Sequence, residues 1–240
     1  MKYMGSKRRI AKSILPLILE GRKEGQYYVE PFCGGCNTLD KVSNPRIGSD
    51  VNKYLVALLK EMQSSYPLNL PRIGELEYQA VKNNKQLYPD WLVGYTGFCL
   101  SFAAKFFGGY GRDKAGVRDY GNEAQQNLLA QQNLLSGVEF HNLPYDSLLI
   151  PPSSIIYCDP PYRGTTKYAS GAFDHAAFYK WCRKMSFLGH TVFVSEYWMP
   201  DDFVCVWQKE ISSGLANNAD SKKGLEKLFR LYSTPLGRVI

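Results

Sequence analysis

The sequence predicts an α/β fold in which helices cover both faces of a mostly parallel sheet. Three observations predict it. Short apolar runs alternate with helical patterns, acidic residues follow three of these runs, and a glycine pair opens the first connection. Short runs separated by amphipathic helices are typical of βαβ units, whose strands lie parallel. A chain of 240 residues can bury one substantial core.

The first part of the chain contains two strand–helix units. The predicted elements are a helix at 7–20, a strand at 26–29, a strand at 46–49 and a helix at about 52–63. Asp50 ends the second strand, and either Asp50 or Asn52 can cap the helix that follows.

The pattern changes between about residues 64 and 121, which are rich in Tyr, Phe, Gly, Asn and Pro and contain one predicted helix, at 92–107. The elements expected after it are a helix at about 122–135, strands at 138–141, 155–158 and 191–194, a helix at about 174–187, and a closing hairpin of 203–209 and 228–232. The sequence therefore predicts a main α/β domain of residues 1–60 and 137–240. A mainly helical subdomain of residues 61–136 is inserted into it.

The composition favours an intracellular protein with a polyanionic partner. The formal net charge is +7, with 45% hydrophobic and 21% charged residues. No apolar stretch reaches the roughly 18 residues of a membrane span, and the amino terminus does not resemble a signal peptide. The six cysteines are not spaced like those of a small disulfide-linked domain. We therefore expect a reduced, cytoplasmic protein without a membrane segment.

The tetrapeptide Asp159-Pro160-Pro161-Tyr162 directly follows an apolar run. Its residue types suit methyl transfer to the exocyclic amino group of a planar base. Such an amine is a poor nucleophile, and a carboxylate with a backbone carbonyl can accept its two N–H bonds and free its lone pair. The prolines stiffen the loop, and Tyr162 offers a ring for stacking.

A second candidate site lies in the turn after the first strand, where Gly34 and Gly35 allow close backbone approach. Asp50 follows Glu30 by 20 positions, where doubly wound folds place the carboxylate that binds ribose hydroxyls. The carboxyl ends of parallel strands share one sheet edge, so Glu30, Asp50 and Asp159 are expected there together. A tight turn and a helix cap are the simpler alternative for the glycines and Asp50.

Three segments together resemble the Dam-type, or D12 class, DNA adenine methyltransferases. Residues 2–7 (Lys-Tyr-Met-Gly-Ser-Lys) resemble the family's Lys-aromatic-x-Gly-Gly-Lys, residues 29–35 resemble its Val-Glu-Pro-Phe-x-Gly-Gly, and residues 159–162 are its catalytic tetrapeptide. The chain departs from the family pattern at Tyr3, often Trp, at Ser6, usually Gly, and at Cys36, often a small residue. Tyr3 keeps a ring, whereas the other two departures bear on fine geometry.

The resemblance implies a Rossmann-like, S-adenosylmethionine-dependent methyltransferase of double-stranded DNA that flips the target adenine out of the duplex. It implies catalysis by Asp159, Pro160 and Tyr162. The implied cofactor-binding residues are Tyr3, Lys7, Glu30, Phe32, Gly34, Gly35, Asp50 and Asp159. No metal is expected. We also expect a monomer in solution and a location in a bacterial cell or a phage-infected host.

The insertion is expected to recognise the target sequence. Its candidate DNA-contacting residues, together with one near the amino terminus, are Arg8, Lys105, Tyr110, Arg112, Lys114 and Arg118. An ordinary solvated loop is the alternative, because Asp113 and Asp119 dilute the basic charge. Residues 163–168 are expected to close over the flipped base.

Other functions stay open at this point. Related tetrapeptides serve amino methylation of cytosine, of an RNA base or of a glutamine side chain, and a DNA-binding module could keep the fold without catalysis. Cys33 and Cys36 form a C-x-x-C pair, which can be a redox pair or half of a zinc site. Their position in the glycine turn and the lack of a second close pair argue against both.

Overall fold

The structure is a computed structural model that describes residues 1–65, 68–113, 115, 117–163, 173–212 and 223–232. The strands are β1 Tyr28–Glu30, β2 Arg46–Ser49, β3 Val138–His141, β4 Ile155–Cys158, β5 Thr191–Ser195, β6 Phe203–Ser212 and β7 Lys223–Leu231. They form a mixed sheet in the order β3-β2-β1-β4-β5-β7-β6. The helices are α1 Ala11–Ile18, α2 Lys53–Ser64, α3 Glu75–Asn83, α4 Asp90–Gly94, α5 Tyr120–Gln132 and α6 His175–Phe187. The predicted α/β fold is therefore confirmed.

The chain divides into two compact units. The first unit comprises Met1–Lys12 and Pro31–Leu148, and the second comprises Ser13–Glu30 and Leu149–Ile240. In the first unit β2 and β3 pair in parallel, with Gly48 opposite Phe140. Glycine is required there, because a Cβ at position 48 would lie 2.9 Å from Leu39 Cδ2 and 3.0 Å from the Phe140 ring.

Strand β4 lies between β1 and β5 in the second unit and is parallel to both. All four of its residues are buried, as expected of a strand covered on both faces. Strand β7 pairs antiparallel with β5 and with β6. The closing hairpin is thus present as predicted, with longer strands and a β-bulge between Cys205 and Trp207.

Helix α2 follows the predicted pattern closely. The Asn52 side chain caps it by accepting hydrogen bonds from the backbone N–H groups of Tyr54 and Leu55, each at 3.1 Å. The sequence left Asp50 and Asn52 as alternative caps, and Asn52 is the one used. The buried face of α2 consists of Leu55, Val56, Leu58, Leu59 and Met62.

The predicted helix at 92–107 is wrong beyond residue 99. Helix α4 passes into a π-helical turn, Tyr95–Cys99, and a short 3-10 turn follows at Phe102–Ala104. The aromatic residues fold back on one another instead of lining one long helix: the ring centroids of Phe98 and Phe106 lie 4.6 Å apart. Hydrophobic periodicity also did not predict α3, which lies earlier in the segment of residues 64–121.

None of the helices in the described part of the chain combines the length and apolar character that a membrane span requires.

Candidate functional site

The glycine turn, residues 31–36 of the first unit, is fixed by backbone hydrogen bonds. The N–H of Cys33 donates to Ser49 O at 2.8 Å, which ties the turn to the end of β2. The N–H of Cys36 closes the turn onto Cys33 O at 2.8 Å. Gly34 has φ +47°, a left-handed conformation that glycine adopts without steric cost.

Asp50 holds the turn and the start of α2 with one carboxylate. Oδ2 accepts the Gly34 N–H at 3.2 Å, and Oδ1 accepts the Asn52 N–H at 2.9 Å. Burial raises the pKa of Asp50 from its ordinary value, while the two N–H bonds act in the opposite direction. Each oxygen has accepted one backbone donor in these bonds, and a carboxylate oxygen can accept a second.

The ring of Tyr3 packs directly on the two glycines. A Cβ on Gly34 would lie 2.8 Å from Tyr3 Cε1, and one on Gly35 would lie 2.6 Å from Tyr3 Cβ. The Tyr3 ring also contacts Phe98, with centroids 5.5 Å apart. The glycines therefore make room for Tyr3. Tyr3, Gly34, Gly35 and Asp50 lie together in the first unit.

The other predicted cofactor residues lie at different places. Lys7 Nζ donates to Gly5 O at 3.3 Å, and the Phe32 ring stacks on Tyr145 with centroids 5.4 Å apart. Glu30, which ends β1 in the second unit, is buried and accepts the hydroxyl of Tyr28 at 2.8 Å.

Gln131 on α5 belongs to the turn but was not predicted from the sequence. Its Nε2 donates to Gly35 O at 3.0 Å and to Asp40 Oδ2 at 2.8 Å. The side chain is only 3% exposed, so these hydrogen bonds satisfy an amide group that has little contact with water. Helix α5 contains several glutamines, and no local pattern distinguishes this one.

The tetrapeptide lies at the carboxyl end of β4 in the second unit. Asp159 and Tyr162 are half-buried, whereas Pro160 is buried. The hydroxyl of Tyr162 donates to Glu226 Oε2 on β7 at 2.8 Å. Burial raises the pKa of Tyr162 well above its ordinary value, and the negative charges of Asp159 and Glu226 raise it further.

Tyr157, the third residue of β4, comes two positions before the tetrapeptide and lies near the same acidic side chains. Its hydroxyl forms a 2.8 Å hydrogen bond with Ser195 Oγ on β5. Burial raises the pKa of Tyr157 well above its ordinary value, and the charges of Asp159 and Glu30 add to this. Acidic side chains thus concentrate around the end of β4.

Glu196 is a second residue that sequence reasoning missed. Its carboxylate is fully buried and accepts the backbone N–H of Arg163 at 2.6 Å and the N–H of Tyr197. It therefore joins the residue after the tetrapeptide to the residues after β5. The acidic residue two positions beyond the predicted strand at 191–194 was the available signal.

The described candidates for DNA contact in the insertion include two arginines that pair with acidic side chains. Arg112 pairs with Glu75, and Arg118 pairs with Glu123 at 2.8 Å. Tyr110 donates its hydroxyl to Ile73 O at 3.0 Å. The remaining described candidates, Arg8 and Lys105, are exposed. Lys114 and residues 164–168 lie outside the described residues.

Cys33 and Cys36 are both buried free thiols. Within the described ranges, no group of three or more His, Cys, Asp or Glu side chains is arranged to hold a metal ion.

Residues 3–90 match the family model of the D12 class N6 adenine-specific DNA methyltransferases. The chain is also 25% identical over 196 residues to the type II methyltransferase M.FokI of Planomicrobium okeanokoites, covering 69% of this chain and 29% of that protein. It thus spans less than a third of that relative. A crystal structure of SMU.472 complexed with SAH covers 96% of this chain and 54% of its own, at 12% identity and a TM-score of 0.39, too weak a likeness to extend to function. The resemblance to the D12 class of N6 adenine-specific DNA methyltransferases predicted from the sequence is therefore confirmed, with the family model matching residues 3–90.

Proposed function

We propose that the protein transfers a methyl group from S-adenosylmethionine to the N6 amino group of adenine in a specific sequence of double-stranded DNA, after the base has flipped out. The observation that carries the proposal is the Asp-Pro-Pro-Tyr tetrapeptide at the end of the buried strand β4. It lies outside residues 3–90, so it supports the proposal independently of the family match.

The tetrapeptide supplies the groups that the reaction needs. The Asp159 carboxylate and the carbonyl of Pro160 accept hydrogen bonds from the two N–H groups of the amine. The lone pair of the amine nitrogen then points at the methyl group. Bound S-adenosylmethionine would supply the methyl group by exchanging its bond to sulfur for a bond to the amine nitrogen, and the proton that the amine loses would pass to solvent. The ring of Tyr162 stacks on the flipped base.

The glycine turn is the proposed cofactor site in the first unit, and its groups fit that ligand. Asp50 has accepted one backbone donor on each oxygen, so that both oxygens can still bind ribose hydroxyls. Tyr3 supplies an aromatic surface beside the turn, and Lys7 is assigned in this proposal to the cofactor as a source of positive charge. Bound cofactor supplies the electrophilic methyl group.

Target recognition is assigned in this proposal to residues 61–136, with DNA contacts from Arg8, Lys105, Tyr110, Arg112, Lys114 and Arg118. Arg112 and Arg118 are paired with acidic residues in the free protein. DNA phosphates would have to displace or join these exposed pairs, which cost little to open.

The test uses the full chain, labelled S-adenosylmethionine and mixed-sequence duplex DNA. We expect label in N6-methyladenine, identified by mass spectrometry of the nucleosides. Asp159→Ala should lower turnover by about a hundredfold or more, because it removes an acceptor of the amine. Asp201→Ala, at an exposed turn, is the matched control and should retain activity.

Near-normal turnover of Asp159→Ala would refute the mechanism. Label in N4-methylcytosine would replace adenine with cytosine as the target, and transfer to RNA in a parallel reaction would replace the DNA substrate. No measurable affinity for S-adenosylmethionine in calorimetry would support a DNA-binding module in place of an enzyme.

A further inference from the structure

Tyr162 is held at two places by residues far from it in sequence. At the tip of the ring, its hydroxyl donates to Glu226 Oε2 at 2.8 Å. At its side, Tyr197 packs edge-on, with centroids 4.7 Å apart and planes at 84°. Both contacts lie within the second unit. A tyrosine without such contacts would be free to rotate about its two side-chain bonds.

The contact at the tip joins a hydroxyl donor to a carboxylate acceptor. Burial and the neighbouring charges of Asp159 and Glu226 keep the pKa of Tyr162 well above its ordinary value, so the hydroxyl stays protonated and donates at neutral pH. Hydrogen bonds to charged acceptors are stronger than neutral ones. Glu226 lies in the regular part of the hairpin, opposite Lys209, so its backbone position is fixed by strand pairing.

The contact at the side is fixed by Glu196. This buried carboxylate accepts the N–H of Arg163, directly after Tyr162, and the N–H of Tyr197. One side chain therefore determines the spacing between the backbone that carries the Tyr162 ring and the backbone that carries the Tyr197 ring.

We propose that Glu226 and Tyr197 are positioning residues that hold the Tyr162 ring ready for the flipped base. This inference rests on the proposed function. A ring that is already fixed loses little conformational freedom when a base stacks on it, and such preorganisation strengthens binding without adding a contact to the ligand. Neither residue touches the reacting atoms.

The experiment is a double-mutant cycle on Tyr162 and Glu226. Tyr162→Phe keeps the ring and removes the hydroxyl, and Glu226→Ala removes the acceptor. Each change should lower kcat/KM about tenfold, the factor that 1.4 kcal/mol represents, and the double variant should be no worse than either single variant. Fluorescence of 2-aminopurine at the target position should fall in parallel, whereas affinity for S-adenosylmethionine should be unchanged.

Two further variants separate positioning from a general loss of structure. Glu226→Gln keeps an acceptor oxygen and should recover most of the activity lost in Glu226→Ala. Glu210→Ala, at an exposed acidic residue on β6 opposite Leu225, is the matched control and should behave like the parent protein. For the side contact, Tyr197→Phe should retain the 2-aminopurine signal and Tyr197→Ala should lose it.

The inference is refuted if the parent protein is active and Glu226→Ala behaves like Glu210→Ala, or if the effects of Tyr162→Phe and Glu226→Ala simply multiply. Melting temperatures of the parent protein, Tyr162→Phe, Glu226→Ala and the double variant provide a readout that does not need activity. Coupled melting temperatures in a parent protein that methylates no DNA would refute the proposed function and the positioning role while leaving the contact itself intact.

Discussion

The glycine turn of the first unit and the tetrapeptide of the second unit are held in place by different forces. Around the turn, backbone hydrogen bonds and close packing dominate, and Gly34 and Gly35 leave space that the Tyr3 ring fills. Around the tetrapeptide, the carboxylates of Glu196 and Glu226 accept hydrogen bonds from the loop. Close packing on Tyr3, together with the Asp50 carboxylate, fixes the first region, and the carboxylates of Glu196 and Glu226 fix the second.

This difference determines which amino-acid substitutions each region tolerates. A turn fixed by shape is sensitive to any added atom, whereas a loop fixed by carboxylates is sensitive to the loss of an acceptor. Four predictions test the comparison, from the largest expected effect to the smallest.

Glu196→Ala should be the most destabilising change. It removes the charged acceptor of the N–H groups of Arg163 and Tyr197. A hydrogen bond to a charged group contributes about 1.5–3 kcal/mol, so we expect a loss of about 4 kcal/mol in the free energy of unfolding. Urea denaturation measures it. Glu196→Gln keeps one acceptor oxygen and should lose less. A Glu196→Ala protein as stable as the parent would remove the contrast between the two regions.

Gly34→Ala should cost about 3 kcal/mol, because a left-handed φ of +47° and a close contact with Tyr3 Cε1 both oppose a Cβ. Gly25→Ala is the matched control, since it has φ +72° but nothing within 4 Å. It isolates the backbone contribution. Adding Tyr3→Ala to Gly34→Ala should restore part of the lost stability in urea denaturation. If the two glycine variants lose equally, packing against Tyr3 does not fix the turn.

The helix caps provide a comparison between one helix start in each unit. Asn52 caps α2 in the first unit, and Asp174 caps α6 in the second by accepting the Ala177 N–H at 2.9 Å. Replacing either by alanine should cost about 1 kcal/mol. Equal losses in the free energy of unfolding, measured by urea denaturation, would show that the two units differ at their sites and not throughout. Clearly unequal losses would show that the units themselves differ in stability.

The smallest effect is expected at Glu123, which accepts hydrogen bonds from Arg118 and Lys2 on the surface. Bonds to these two cations lower the pKa of Glu123 to about 2. A lowered pKa means that the contribution to stability is present at neutral pH and is lost as the pH falls through that value. An NMR titration of the Glu123 carboxyl carbon should find the low midpoint, and high salt should raise it. A midpoint at the ordinary glutamate value would show that the pairs do not form in solution.

The parts of the fold that depend on local pattern were predictable from the sequence. Strand β2 has the predicted bounds, and Asn52 caps α2, because strand periodicity and capping act over a few neighbouring residues. The tetrapeptide and the glycine pair were recognisable because each motif is contiguous in sequence.

The partners of these motifs could not be predicted, because they come from distant positions. Glu226 lies 64 residues from Tyr162, and Gln131 lies 96 residues from Gly35. The register of the β6–β7 hairpin decides which side chain reaches Tyr162, and a shift of one residue would turn Glu226 to the other face. The π-helical turn at Tyr95–Cys99 likewise depends on how Phe98 and Phe106 pack.

The amide of Gln131 has a thermodynamic consequence. It joins α5, in the segment that precedes β3, to the carbonyl of Gly35. A molecule that displaced α5 on binding would have to stretch these bonds or move the turn with the helix. Linkage is reciprocal, so a ligand of the turn would then change the affinity of that molecule by the same factor. A single glutamine would thus make two binding equilibria depend on each other.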